Sequence, residues 1–171
     1  MKKGGQVWIE TVLYTLIGLA LIGLALGFIM PKINEAKDKA TVEQAINSLA
    51  EFDARVNEVI ETGPGNIRQI EFYMNKGELR INASGDEIGL ILSELSKPYS
   101  EPNVTVSIGR VKVLSEEGQK TSTVYLKTVY TRNITYNGLN DYRQFASAST
   151  PYKFRIWNND SWIDITEVSN T

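Results

Sequence analysis

The chain of 171 residues contains no cysteine and no histidine. Without cysteine no disulfide reinforces the fold, and zinc sites of the usual Cys/His kind are excluded. The same absences exclude the Ser-His and Cys-His pairs that serve much of nucleophilic catalysis. The sequence also has no glycine-rich phosphate loop and no carboxylate constellation. We therefore expect a protein that is not an enzyme and uses no metal or cofactor.

An excess of one charge sign is lacking too. The formal net charge is −2, and from residue 66 onward acidic and basic side chains are equally numerous. Because nucleic-acid binding depends on clustered positive charge, we expect no nucleic-acid partner. Two acidic sites, Glu116-Glu117 and Asn158-Asn159-Asp160, are interpreted first as polar turns and only second as cation ligands.

What the chain does contain is a long apolar run near its N-terminus. After Lys2 and Lys3, Glu10 is the only charged side chain among residues 4–30. Residues 11–30 match the roughly 20 apolar residues that span a bilayer as a helix. A carboxylate held at mid-bilayer costs about 2.5–3.5 kcal/mol. Glu10 therefore either reaches water at the interface or meets a positive charge created by cleavage after Gly5.

The pattern Gly5-Gln6, with Glu10 as the fifth residue after the cut and an apolar run behind it, resembles a known processing site. It is similar to that of archaeal type IV pilins whose mature chain begins with Gln, the class III signal peptide subgroup. The resemblance implies a leader of residues 1–5, cut by a prepilin peptidase between Gly5 and Gln6. It also implies a pilus assembly ATPase and a membrane platform as partners.

An ordinary secretory signal peptide is the main alternative for this end of the chain. Lys2 and Lys3 would be its basic region, and Ala25-Leu26-Gly27 would be its cleavage site. Gly23 and Gly27 form a GxxxG motif, which permits close approach of helices in a filament core. That motif is equally compatible with a simple single-pass dimer.

The apolar run continues into an amphipathic pattern. From Ile33 to Ile60, apolar residues recur at steps of three and four, with either Phe52 or Ala54 facing inward near the middle. The helix is expected to end at Gly63-Pro64-Gly65. Pro31 predicts a kink or a loosened turn near residues 27–31. Residues 6–62 therefore predict one helix with a membrane or filament-core half (6–30) and an amphipathic half (31–62).

Beyond residue 65 the patterns are those of β-strands, and we call residues 66–171 the head. Three hairpins are expected, in which the strand pairs are 67–74 with 78–83, 104–114 with 123–131, and 152–157 with 161–165. Gly109 is expected to form a bulge. Residues 87–95 fit helix spacing, but Gly89 and the β-rich surroundings favour a strand. The predicted fold class is α+β, a pilin-like lollipop with an antiparallel, sandwich-like head.

Four Asn-x-Ser/Thr sequons occur, all in the head. They suggest glycosylation of a cell-surface protein, although an Asn- and Thr-rich surface also produces such triplets by chance. The residues are Asn82, Asn103, Asn133 and Asn159. Aromatic residues of the head are expected mostly in its core, with an adhesive surface as the alternative; they are Tyr99, Tyr136, Tyr142, Trp157 and Trp162.

Taken together, these features predict a structural subunit of an archaeal type IV pilus-like filament, used for adhesion. The precursor would be a single-pass membrane protein with its C-terminus outside, and the mature subunit would polymerise with identical copies through its helix. Glu10, Gly23 and Gly27 are the expected assembly residues. The alternatives are a membrane-anchored surface binding protein that never polymerises, or a minor pseudopilin.

Overall fold

The computed structural model describes residues 4–168, with side chains from residue 7 onward. Within this range one helix, α1 (Gly4–Thr62), precedes ten strands, which confirms the predicted α+β class of a long N-terminal helix and a β-rich head. The strands are β1 (Ile67–Phe72), β2 (Glu78–Asn82), β3 (Glu87–Leu95), β4 (Thr105–Ile108), β5 (Val111–Glu117), β6 (Ser122–Val129), β7 (Ile134–Tyr136), β8 (Tyr142–Ala146), β9 (Tyr152–Asn158) and β10 (Ile163–Glu167).

The chain divides into two compact units, Met1–Lys37 and Asp38–Thr171. Every described residue of the first unit belongs to α1, and the helix ends in the second unit. The helical assignment runs through Pro31 without interruption. The second unit contains the C-terminal part of α1 and all the described strands.

The strands form two sheets. The four-stranded sheet has the order β1-β9-β10-β7, and the six-stranded sheet has the order β4-β5-β6-β3-β2-β8. Among the described strands the pairing is antiparallel except between β10 and β7, which run parallel. Burial alternates along the strands, as in β2, where Leu79 and Ile81 are buried and their neighbours are half-buried. The long strands of the head therefore each turn one apolar face to the core and the other face outward.

The C-terminal part of α1 supplies one apolar stripe to the core. Its buried side chains lie at helical spacing and are Val42, Ala45, Ile46, Leu49, Phe52, Val56 and Val59. The ring of Phe52 lies 5.9 Å from that of Phe72 in β1 and 5.6 Å from that of Phe154 in β9. Phe52 is thus the inward residue, and Ala54 is exposed. The expected start of the stripe at Ile33 was wrong, because Ile33, Ala36 and Ala40 are exposed and burial begins at Val42.

Aromatic packing joins the two sheets. Phe145 of the six-stranded sheet lies 5.2 Å from Phe154 of the four-stranded sheet, with the rings nearly perpendicular. Such edge-to-face pairs contribute about 0.5–1.5 kcal/mol beyond their buried area. The head thus coheres through one apolar core, without any disulfide.

The hairpin of β9 and β10 is confirmed by its antiparallel register. Its first strand ends at Asn158, whose Nδ2 donates to the Val59 carbonyl at 3.0 Å. Asn158 Oδ1 accepts the backbone N–H of Asp160 at 2.9 Å. One buried amide therefore fixes the hairpin tip and satisfies a carbonyl in the last turn of α1, where helical partners run out.

The first predicted hairpin was wrong. β1 pairs with β9 of the four-stranded sheet, whereas β2 pairs with β3 and β8 of the six-stranded sheet. The chain between β1 and β2 crosses from one sheet to the other instead of turning back. Both strands bury an alternating apolar face, as predicted, but the faces belong to opposite sheets.

Gly109 forms a turn and not the predicted bulge. It has φ +60° and, with Arg110, connects β4 to its antiparallel partner β5. The predicted strand 104–114 is therefore two strands. The second predicted hairpin is confirmed for β5 and β6. Their antiparallel pairing runs from Lys112 opposite Lys127 to Glu117 opposite Ser122. The preference for a strand at residues 87–95 is confirmed as well, since these residues form β3.

Candidate functional site

The most conspicuous surface of the chain is the apolar segment, residues 7–30 of α1. None of its side chains is buried. The exposed fraction is 72% for Trp8 and 80% for Phe28. Burying one large aliphatic or aromatic side chain contributes about 1.5–3 kcal/mol, so this surface is strongly unfavourable in water. The segment is apolar on every side of the helix, which is typical of helices surrounded by lipid or by other helices.

Polar groups in the apolar segment are few and mostly satisfied within the helix. The hydroxyl of Thr11 donates to the Val7 carbonyl at 2.9 Å, and that of Thr15 donates to the Thr11 carbonyl at 2.8 Å. Glu10 is exposed and is the only charged side chain of the segment. Among the described residues Glu10 makes no ion pair, so its carboxylate is the single unsatisfied charge on an apolar surface.

Small residues give one face of this segment a flat surface. Ala20, Gly23 and Gly27 follow one another at steps of three and four and therefore share a face of the helix. A Cβ atom placed on Gly23 or Gly27 meets no heavy atom within 4 Å. The two glycines are thus not required by any contact with the described residues, and their face is open to close approach by another helix.

α1 contains a segment that is long and apolar enough to cross a membrane. Charged residues resume directly after it, where the ammonium of Lys32 pairs with the carboxylate of Glu35 at 3.2 Å. This pattern is consistent with a membrane anchor near the N-terminus. It does not distinguish an anchor that remains in lipid from one that leaves it.

The predicted processing residues fall at the edge of the described chain. Gly5 and Gln6 have helical backbone, but the side chain of Gln6 lies outside the described part, as do residues 1–3. Cleavage between Gly5 and Gln6 therefore stays a prediction.

The four sequons have different surroundings. Asn103 and Asn133 are exposed. Asn82 donates through Nδ2 to Glu87 at 3.1 Å and accepts from the Ser84 hydroxyl at 2.8 Å. N-glycosylation replaces one of the two hydrogens on Nδ2, the atom through which Asn82 already donates to Glu87. Asn159 is half-buried. Glycosylation stays a prediction, with Asn103 and Asn133 as the accessible sites.

The aromatic residues do not gather on one surface. Tyr136 is buried, Tyr99 packs against the core and Tyr142 is exposed. Trp157 and Trp162 are half-buried. The prediction of a turn at Glu116-Glu117 was wrong, because both residues belong to β5 and pair with β6. In the part of the chain that the structure describes, no group of acidic side chains is arranged to hold a metal ion.

A buried polar network in the head is structural in character. The guanidinium of Arg110 donates through Nε to Asp53 Oδ2 at 2.8 Å, which ties the β4–β5 turn to α1. Burial raises the pKa of Tyr130, whose hydroxyl lies 3.1 Å from that of Thr128, and the nearby Asp53 carboxylate raises it further. Tyr130 is therefore a neutral hydrogen-bonding group and not a proton-transfer group at neutral pH.

One surface feature was not predicted at all. A groove of about 410 Å³ lies on the outer face of the six-stranded sheet, and side chains from β2, β3, β5 and β6 line it. Only the alternation of charged residues at outward positions hinted at it, and the alignment of these positions across strands was not known.

Comparisons of the chain with protein-family models, with curated proteins and with solved structures find no match.

Proposed function

We propose that the chain is the structural subunit of an archaeal type IV pilus-like filament that serves adhesion at the cell surface. In this proposal the precursor is stored in the membrane as a single-pass protein with its head outside. A prepilin peptidase removes residues 1–5, and the assembly ATPase and its membrane platform move the subunit into the filament. The mature helix, beginning at Gln6, then packs among the helices of identical subunits.

The observation that carries this proposal is the contrast within α1. Its C-terminal part buries one stripe in the head, whereas residues 7–30 are exposed on all sides. A single helix cannot cover its own circumference, so this surface requires lipid or several neighbouring helices. Both requirements are met in turn if the subunit first resides in the membrane and then in a helical bundle. The open Ala20, Gly23 and Gly27 face supports tight packing in that bundle.

In this proposal Glu10 sets the stagger between neighbouring helices. Cleavage before Gln6 frees an amino group, which in a staggered bundle lies beside Glu10 of a neighbouring subunit. At 4 Å and an effective dielectric of 20, the attraction is about 4 kcal/mol. Loss of hydration reduces the net gain. An unpaired carboxylate in the bundle is worse, so the pair selects the stagger more than it adds stability.

The direct test is the N-terminal residue of native protein recovered from sheared cell-surface fibres. We expect a chain that begins with Gln6, at high abundance in the fibres. A chain that retains Met1 and stays in the membrane fraction contradicts the proposal. Replacement of Gly5 by a bulky residue is expected to block processing, so an unchanged mature mass in that variant excludes this cleavage site.

A second candidate is a membrane-anchored surface binding protein that does not polymerise. It is favoured by the length and apolarity of the helix, which satisfy an anchor without any further assumption. A minor pseudopilin lies between the two candidates. The amount of the protein relative to other subunits in purified fibres separates a major from a minor subunit.

A further inference from the structure

The groove on the outer face of the six-stranded sheet has the size of a ligand site. Its volume of about 410 Å³ falls within the roughly 300–1,000 Å³ of typical small-molecule sites. The inner face of the same strands is filled with apolar core, with Leu79, Leu90 and Leu126 fully buried. The outward side chains therefore do not pack in the core, and they determine which ligands can bind in the groove.

Cross-strand register places three cations in one line, which we call the basic row. Arg80 pairs with Gly89, Gly89 with Lys127, and Lys127 with Lys112. A Cβ atom at Gly89 would lie 2.6 Å from the Leu126 carbonyl oxygen, so the close strand approach requires glycine there. The consequence for the outer face is a gap between Arg80 and Lys127 that no side chain fills.

The charges of the basic row are incompletely neutralised. Lys127 pairs with Glu87 at 3.0 Å, but Lys112, directly opposite Lys127, makes no ion pair with any described residue. Arg80 donates through Nη2 to Glu78 at 3.2 Å, while its Nε is buried without an acceptor. Like charges directly opposite each other destabilise a sheet, and a buried unpaired donor adds to that cost. An anion in the gap offsets the repulsion between the cations of the basic row.

An apolar row runs beside the basic row, two residues away along β3, β5 and β6, whereas on β2 the equivalent position is Glu78. Its members Ile91, Tyr125 and Leu114 are also aligned by register and are half-buried. The two rows are about 7 Å apart along the strands. Burial and the neighbouring Glu116 raise the pKa of Tyr125, so its hydroxyl remains a neutral donor and acceptor. The groove thus offers an apolar platform and a cationic edge side by side.

We propose that this groove binds an acidic saccharide, such as a short chain of uronic acid residues. The apolar face of a sugar ring rests on the apolar row, and its carboxylate lies in the gap at Gly89, between Arg80 and Lys127, with Lys112 one strand further along the basic row. A simple inorganic anion uses only the basic row, and a neutral apolar ligand leaves Lys112 without a counter-charge. A sugar acid uses both rows at once. This binding depends on residues of β2, β3, β5 and β6 and is independent of cleavage and polymerisation.

The test uses full-length, unglycosylated recombinant protein in detergent, so that the only saccharide is the one added. Calorimetric titration compares trigalacturonate with the neutral trisaccharide galactotriose. We expect trigalacturonate to bind at least about tenfold more tightly, since a charge-assisted hydrogen bond has about that effect. Lys112→Glu is expected to weaken binding at least about tenfold, and Tyr125→Ala to weaken it as well.

Lys120→Glu is the matched control, because Lys120 is exposed on the β5–β6 turn and the change in net charge is the same. It is expected to leave the affinity unchanged. A thermal melt of each variant confirms that it is folded, and Lys112→Gln replaces Lys112→Glu if the latter is not. Absence of trigalacturonate binding overturns the proposal. So does an equal loss with Lys120→Glu, or full displacement of the saccharide by an equal concentration of inorganic sulfate.

Discussion

The two parts of α1 are built from similar apolar residues but have opposite surroundings. Between Val42 and Val59 the apolar side chains form one stripe, and the head covers that stripe completely at Leu49, Phe52 and Val56. In residues 7–30 apolar side chains occupy every side, and none is buried. The difference shows that sequence pattern, and not apolar content alone, decides whether a helix is stabilised by its own chain.

One surface is enough to cover a single apolar stripe, and the head of the same chain provides that surface. A helix that is apolar on all sides needs partners around its full circumference, and within the described chain no side chain of residues 7–30 is buried. The apolar segment therefore depends on molecules outside the chain. Substitutions in residues 7–30 should consequently impair assembly, whereas substitutions between Val42 and Val59 should impair folding.

The largest expected effect concerns Glu10. Replacement by Ala removes the proposed partner of the new amino group at Gln6, so filament yield should fall by at least about tenfold. Membrane insertion should be unaffected, because a less polar segment inserts at least as well. Electron microscopy of sheared fibres and membrane fractionation measure the two results. Glu51→Ala, an exposed acid in the C-terminal part of α1, is the control and should assemble normally.

Phe52→Ala should be the most damaging change to folding. Phe52 is fully buried between Phe72 and Phe154, and loss of such a ring costs about 3–5 kcal/mol. The free energy of unfolding, from urea titration of the protein in detergent, gives the value. Phe28→Ala is the matched control, since Phe28 is 80% exposed and should leave head unfolding unchanged. Equal losses in both variants would contradict the division of α1 into two parts.

A moderate effect is expected for Asn158→Ala. The side chain is 1% exposed and donates to the Val59 carbonyl at 3.0 Å. Truncation leaves that carbonyl without its partner near the end of α1, so the free energy of unfolding should fall by about 1–3 kcal/mol. Asn140→Ala, at an exposed position, should be neutral. Amide exchange in the last turn of α1 should accelerate only in the Asn158 variant.

The smallest effect is the pH dependence of Glu87. Partial burial acts to raise the pKa of Glu87, but hydrogen bonds from Lys127 and Asn82 and the charge of Lys127 outweigh it, so the pKa lies below its ordinary value of 4.5. A pKa that is lower in the folded state stabilises the fold at neutral pH, and this contribution disappears as the pH falls through the folded pKa.

Glu87→Gln should therefore lower the free energy of unfolding at pH 7 by less than about 1 kcal/mol, as for a partly exposed pair. The difference from the unsubstituted protein should shrink as the pH falls below 4.5 and vanish once the pH is below the lowered pKa of Glu87. Glu101→Gln, at an exposed position, serves as control and should show no difference at either pH. A Glu87→Gln difference that grows on acidification would contradict the assigned pKa direction.

Local patterns predicted the elements of this fold well. The helical spacing up to Ile60 and the stop at Gly63-Pro64-Gly65 agree with α1, which ends at Thr62. Alternation identified β1 and β2 with their inward faces, the strands β9 and β10 were located as well, and Gly89 within an otherwise helix-like spacing correctly favoured a strand. These features depend on residues close together in the chain, which is why the sequence alone was sufficient.

Partnerships between distant segments were not predictable in the same way. β1 pairs with β9 instead of its neighbour β2, and this places Phe72 of β1 against Phe52 of α1 in the shared core. The groove was missed for the same reason, since Arg80, Lys127 and Lys112 are aligned only by the register of four strands. The burial of the stripe from Val42 onward likewise depends on how far the head extends along α1.

Pro31 has a consequence for how deeply the apolar segment can be immersed. Proline has no N–H to donate, so the Gly27 carbonyl, one turn earlier, lacks its usual helical partner. An unpaired carbonyl in hydrocarbon costs several kcal/mol, whereas water or a neighbouring hydroxyl satisfies it at little cost. The backbone at residues 27–31 must therefore stay wet or be met by a donor. Moving residues 27–31 into dry hydrocarbon would cost free energy, so this turn limits how deeply the apolar segment can enter it.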